Sequence, residues 1–236
     1  MPTKAIPYVK AVVHLLCLAP ILYLLQLYRN GTLAANADPV NYITHFTGNW
    51  ALWMLLGSLA ITPIRRLHKR LGNLIRFRRL LGLYAFFYAT LHLSTYVFLF
   101  SGYDVPAAID GLRSGHLAEP FHQLHRILPT MIDDIEKRRF IQIGMLTWTI
   151  LFALALTSSA FILRKMGGKS WQTLHRLVYG AAICGCIHFW WLVKPGVRTP
   201  WKDTAVLIVL LAARLFYDAL KKRKRPTPKA AAPIAA

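Results

Sequence analysis

Leu80-Leu-Gly-Leu-Tyr-Ala-Phe-Phe-Tyr-Ala-Thr-Leu-His-Leu-Ser-Thr-Tyr-Val-Phe-Leu-Phe100 contains no Asp, Glu, Lys or Arg, and a single histidine, His92. As an α-helix, a run of about 20 residues spans roughly 30 Å, the thickness of a bilayer's hydrocarbon core. A membrane β-strand needs only about ten residues and alternates apolar with polar positions. This run is twice that length and does not alternate, so it reads as a transmembrane helix.

Comparable runs lie on both sides of it, at about 7–28, 42–64, 140–163, 171–193 and 201–220. Thr62-Pro63 and Lys194-Pro195-Gly196 are read as helix stops, because proline cannot continue a helix. Only 16% of the 236 residues are charged and mean hydropathy is +0.40, against about 25% charged in soluble domains. The expected fold is an all-α integral membrane bundle of about six transmembrane helices. One domain covers 1–225, and the Ala- and Pro-rich stretch 226–236 reads as a disordered tail. No internal repeat is evident. The first apolar run is too long for a signal-peptide core and is expected to remain as the first helix.

The net charge of +20 would raise nucleic acid as a partner in a soluble protein. Here the basic residues flank apolar segments, so they read as topology signals and contacts to anionic lipid, with no nucleic acid bound. Eighteen Lys and Arg fall on the side holding the N-terminus, loops 65–79 and 164–170 and the tail. Nine fall on the other side, with eight of the nine acidic residues. The positive-inside rule then places both termini in the cytoplasm. The outer loop 101–139 carries a stretch, Pro120 to Phe140, whose spacing suits an amphipathic helix on the membrane or under a partner. The cysteines Cys17, Cys184 and Cys186 all lie in apolar runs and form no disulfide framework.

Histidines carry the functional signal. His68, His116, His122 and His125 lie in loops, and His122-x-x-His125 has no evident third ligand. His14, His45, His92, His175 and His188 lie in or at the ends of spans, where polar groups are costly and mark function by default. The alternative is a histidine hydrogen-bonded between helices, the reading given to His14. His45 is open to a partner or a quinone at the outer surface. His92 and His188 both fall in the outer halves of outward-running spans. Imidazoles from two neighbouring helices can bind one haem iron axially, which favours electron transfer over oxygen binding. His175 precedes His188 by 13 residues, roughly 19 Å along a helix. Two stacked haems would suit that rise, but on an ideal helix the two side chains differ by about 140° in azimuth. The span of His92 offers no second histidine, only Arg78 fourteen residues earlier. Arg76, Arg78, Arg79 and Arg176 cluster at the inner ends of these spans. They could hold a haem propionate or a flavin phosphate, or serve topology alone. No glycine fingerprint for a nucleotide fold is present.

Six runs carry a family resemblance. They are His45-Phe-Thr-Gly-Asn-Trp-Ala-Leu52, Ile61-Thr-Pro-Ile-Arg-Arg66, Arg78-Arg-Leu-Leu-Gly-Leu83, Thr90-Leu-His-Leu-Ser-Thr-Tyr96, Trp171-Gln-Thr-Leu-His-Arg-Leu-Val-Tyr179 and Ile187-His-Phe-Trp-Trp191. In this order, across nearly all of 8–220, they resemble the MsrQ (YedZ) family. These are haem-binding membrane subunits of bacterial methionine sulfoxide reductase systems, in the ferric-reductase-like transmembrane group. The resemblance implies a multi-pass protein of the bacterial inner membrane carrying haem b and FMN. It maps the family's histidines onto His92, His175 and His188. It implies electron transfer to a periplasmic molybdopterin enzyme that repairs oxidised methionine. The implied donor is a cytoplasmic flavin reductase or the quinone pool. The outer loop 101–139 is longer than the family pattern. Such a chain makes no substrate bond itself and is not an enzyme alone. The rivals are a self-sufficient transmembrane ferric or quinone reductase and a transporter using histidines as proton relays.

Overall fold

A computed structural model describes residues 6–194 and 198–223. Pro195-Gly196 and the tail 226–236 lie outside the described residues. The described chain is helical: α1 (Ile6–Arg29), α2 (Pro39–Leu67), a 3₁₀ stretch (Lys69–Leu74), α3 (Ile75–Thr95), α4 (Val105–Arg113), α5 (Glu119–Lys137), α6 (Arg139–Leu156), α7 (Ala160–Met166), α8 (Gly168–Leu174), α9 (Leu177–Leu192) and α10 (Thr199–Arg223). A π-helical turn, Tyr96–Phe100, extends α3. Among the described residues, three helical stretches are long and apolar enough to cross a membrane: Ile6–Arg29, Leu71–Phe100 and Arg139–Leu156.

The core is formed where helices cross. Leu55 and Leu59 of α2, Ala85 and Tyr88 of α3, Leu151 of α6 and Ala181 and Ala182 of α9 are all buried. Ala85, Ala181 and Ala182 are fully buried, and such small side chains let helix backbones approach closely. Tyr88 donates to the Cys17 carbonyl of α1 at 2.7 Å, so its hydroxyl is satisfied inside the core. Cys17 and Cys186 are buried in the same cluster, and the three cysteines are free. The outside is apolar as well: Leu15, Leu16 and Leu22 on α1 and Val209, Leu215 and Phe216 on α10 are exposed. A helix apolar all round is solvated by lipid or by other helices.

Local chemistry shifts several boundaries from those read in the sequence. Asp38 caps α2 by accepting from the Asn41 amide at 2.9 Å, with Pro39 in the first turn. Pro63 does not stop α2, which continues to Leu67. Its ring removes one donor close to the helix end, so little ladder is lost. The run 140–163 is two helices, because Thr157-Ser158-Ser159 breaks it. Thr157 and Ser158 turn their hydroxyls onto the carbonyls of Ala153 and Leu154, each at 2.7 Å. The extended Ser159 caps α7. Such hydroxyls compete with the helix ladder. Gly167, at φ +75°, joins α7 to α8 in a conformation that side chains disfavour. The run 171–193 is also divided, at His175 and Arg176, between α8 and α9. In the segment 101–139, α5 covers Glu119–Lys137 and buries Gln123 and Ile127, while Phe121, Leu128 and Ile132 stay exposed.

Candidate functional site

α2, α3, α6 and α9 surround a cavity of about 520 Å³, within the range of cofactor pockets. His92 of α3 and His188 of α9 both line it. Their ring centroids are 5.9 Å apart and their planes make an angle of 80°. His92 Nδ1 lies 2.9 Å from the Thr44 carbonyl oxygen of α2. His188 Nδ1 lies 2.7 Å from the Phe140 carbonyl oxygen of α6. A carbonyl only accepts, and its second lone pair is available even within a helix. Each Nδ1 therefore carries a proton and donates it. A neutral ring fixed in this tautomer keeps Nε2 as a bare lone pair, the form that binds a metal.

Glycines make the close approach possible. A Cβ at Gly48 of α2 would stand 3.1 Å from the His92 ring, and one at Gly144 of α6 only 2.8 Å from His188 Nδ1. Each imidazole thus lies on a helix backbone at a glycine and bonds the carbonyl one turn earlier. The two arrangements correspond residue by residue at a constant offset of 96: Thr44 to Phe140, Gly48 to Gly144, and His92 to His188. This is an internal repeat of geometry, contrary to the sequence reading. Only a few residues are shared between the halves, so periodicity in composition does not reveal it. The recurrence of a glycine 44 positions before each histidine was the available signal.

The other sequence-selected residues lie elsewhere. His175 is half-buried at the junction of α8 and α9, stacked on Trp171 with centroids 3.9 Å apart. Its Nε2 lies 3.2 Å from Thr157 Oγ1, and Trp171 Nε1 donates to the Thr157 carbonyl at 2.8 Å. Because the helix is interrupted here, α9 does not set the azimuth of His175. Arg78 and Arg79, in the first turn of α3, lie close enough to act on His175 electrostatically. Arg176 is the residue just before α9 and is exposed. The equivalent of His175 in the first half, at the same offset, is Arg79. The position corresponding to His175 thus holds arginine and not a second histidine.

His45 lines the main cavity and packs beside Phe189, with centroids 6.5 Å apart. His14 bonds the Tyr84 hydroxyl at 2.9 Å between α1 and α3. His122 and His125 are exposed, and among the described residues no group of three or more His, Cys, Asp or Glu could hold a metal ion. Sequence reasoning missed Asp134 and Arg138, which line the cavity mouth from the end of α5.

Residues 47–186, which include most of this helical, histidine-lined cavity, match the family described as ferric reductase like transmembrane component. The chain is 38% identical over 231 residues, 95% of its length and 94% of the relative's, to the "Protein-methionine-sulfoxide reductase heme-binding subunit MsrQ" of Xanthomonas axonopodis pv. citri. Proteins of the same name from Herminiimonas arsenicoxydans and Ralstonia nicotianae are 38% and 36% identical. They cover 80% and 92% of this chain, over 76% and 89% of their own lengths. The chain belongs to the MsrQ family, within the ferric-reductase-like transmembrane group.

Proposed function

We propose that this chain is the membrane electron-transfer subunit of a methionine sulfoxide reductase system, with haem b bound between His92 and His188. The carrying observation is the braced pair of imidazoles. Imidazole nitrogen binds a first-row metal at about 2 Å, so two rings on opposite sides of one ion have centroids about 6 Å apart. The observed 5.9 Å agrees, and both rings line a cavity of about 520 Å³. The printed names of the relatives, heme-binding subunits, support the same reading. Haem bound there supplies an iron that gains and loses one electron. His92 and His188 would hold it, and the Thr44 and Phe140 carbonyls keep both rings in the binding tautomer. Leu52, Leu55 and Leu151 exclude water at the deep end.

The proposed setting is the bacterial inner membrane, crossed six times by α1, α2, α3, α6, α9 and α10, with both termini cytoplasmic. The His92–His188 site then lies toward the periplasm, next to a molybdopterin partner that reduces methionine sulfoxide in proteins. His175, Arg78, Arg79 and Arg176 lie toward the cytoplasm, at the electron-entry end. There they would serve a second haem, FMN or the donor, a flavin reductase or quinol. FMN rests on the family resemblance alone.

The test is a reduced-minus-oxidised optical spectrum of the purified chain, with haem and flavin quantified per protein. A low-spin b-type spectrum is expected, and the stoichiometry distinguishes one haem from two. Colourless, carefully prepared protein would end this reading in favour of a histidine relay in a transporter. Iron reduction by the chain without any partner would select a self-sufficient ferric reductase.

A further inference from the structure

The cavity is polarised along its length. Its buried end includes Leu52, Leu55 and Leu151, while Asn41 and Arg138 of its lining are exposed. Its mouth carries Asn41, His45, Tyr96, Asp134 and Arg138. Arg138 is the one Lys or Arg among the described lining residues. A haem has the same polarity: an apolar macrocycle with two carboxylates on one edge. Burying that edge among leucines would leave two anions desolvated and unpaired. The fit therefore has one sense, carboxylates at the mouth.

The mouth is organised around one ion pair. Arg138 Nε lies 2.9 Å from Asp134 Oδ1, and the Tyr96 hydroxyl donates to Asp134 Oδ2 at 3.1 Å. Asp134 is 21% exposed and is held from α5 and from the α3 extension. The Arg138 side chain, 56% exposed, joins α5 to α6 two residues before Phe140. Its position is thus tied to the carbonyl that braces His188. A guanidinium has five donors, so one bond to Asp134 leaves most of its fork for another carboxylate.

We infer that Arg138 is the anchor for the haem's carboxylate edge, with Asp134 as the fixed counter-charge that positions it. The inference rests on the His92–His188 haem reading. An i,i+4 pair at a helix end is otherwise worth little. Here the pair lines a cavity beside two imidazoles. Arg138 stabilises the edge it binds, while Asp134 competes for the same guanidinium.

The test is titration of the full-length apoprotein in detergent with haem and, separately, with haem dimethyl ester, whose edge is uncharged. The low-spin spectrum is the readout. Wild type is expected to prefer haem by about tenfold, the scale of one charge-assisted hydrogen bond. Arg138→Gln should bind both forms alike, and Arg138→Lys should keep part of the preference. Asp134→Asn should widen the preference, and it keeps the test valid if Arg138→Gln fails to fold. The haem midpoint potential should fall in Arg138→Gln and rise in Asp134→Asn. No preference in wild type, or an undiminished one in Arg138→Gln, overturns the anchor while leaving the axial pair standing. Absence of a low-spin spectrum with either form overturns the axial pair itself.

Discussion

The α2–α3 pair and the α6–α9 pair hold their histidines in the same way and differ at their opposite ends. At the cavity each pair presents a glycine, a carbonyl one helical turn earlier, and an imidazole bonded to it. About 13 residues further in, one pair has Arg79 and the other His175. The tautomers differ too. His92 and His188 carry their protons on Nδ1 and leave Nε2 bare. The Thr157 hydroxyl donates its proton to the Ala153 carbonyl at 2.7 Å, so His175 Nε2 must be the donor toward Thr157. On the proposed haem reading, two imidazoles would share one ion, and each needs the same reach and the same bare nitrogen. Nothing demands such symmetry where a single histidine lies near cations.

The largest expected effect tests the symmetric end. His92→Ala and His188→Ala should each abolish the low-spin absorption, because six-coordination needs both rings. His175→Ala should retain the His92–His188 signal. Optical spectra and haem content of the three purified variants check this. Full low-spin haem in either of the first two variants would break the equivalence of the two halves.

A graded effect sharpens the comparison. Gly144→Ala puts a methyl 2.8 Å from the His188 ring, and Gly48→Ala puts one 3.1 Å from His92. The first contact requires a shift of the ring or the helix, since real Cβ atoms essentially never come that close. Overpacking of this kind costs about 1–3 kcal/mol. Gly144→Ala should therefore weaken haem binding by roughly 5- to 150-fold. Gly48→Ala should fall at or below the lower end of that range, because a few tenths of an ångström suffice. Haem titration of both variants measures the ratio, and the reverse order would contradict the geometry.

Much of this was legible in the sequence, for reasons that vary by residue. His92 and His188 stood out because a polar group in an apolar run needs a partner or a purpose. The helical class followed from run length. The bracing of the rings was not legible, because Gly48 and Gly144 read as ordinary small residues and the accepting carbonyls have no side-chain identity. The division of 140–163 had a visible cause in Thr157-Ser158-Ser159, which hydropathy outweighed. Arg138 was counted only as loop charge. The turn that brings α5 to the cavity mouth is a tertiary fact, and no local pattern marks it.

The smallest effect probes whether the two ends are independent. Thr157→Val removes the hydroxyl that meets His175 Nε2 while keeping the side chain's shape. The same hydroxyl also donates to the Ala153 carbonyl, so two half-buried hydrogen bonds are lost, at about 1 kcal/mol each. The Trp171–His175 stack and the indole bond to the Thr157 carbonyl remain, since neither uses the hydroxyl. The variant should melt slightly earlier in detergent, with the His92–His188 spectrum unchanged. Thr157 closes the end of α6, and Gly144 and Phe140 lie on the same helix three turns or more away. A rigid helix would transmit a displacement along its axis, but the lost hydroxyl bonds only Ala153, His175 and the last turn of α6, so the change is expected to stay at that helix end. A changed His92–His188 spectrum would mean that α6 shifts as a unit, and that the asymmetric end tunes the symmetric one.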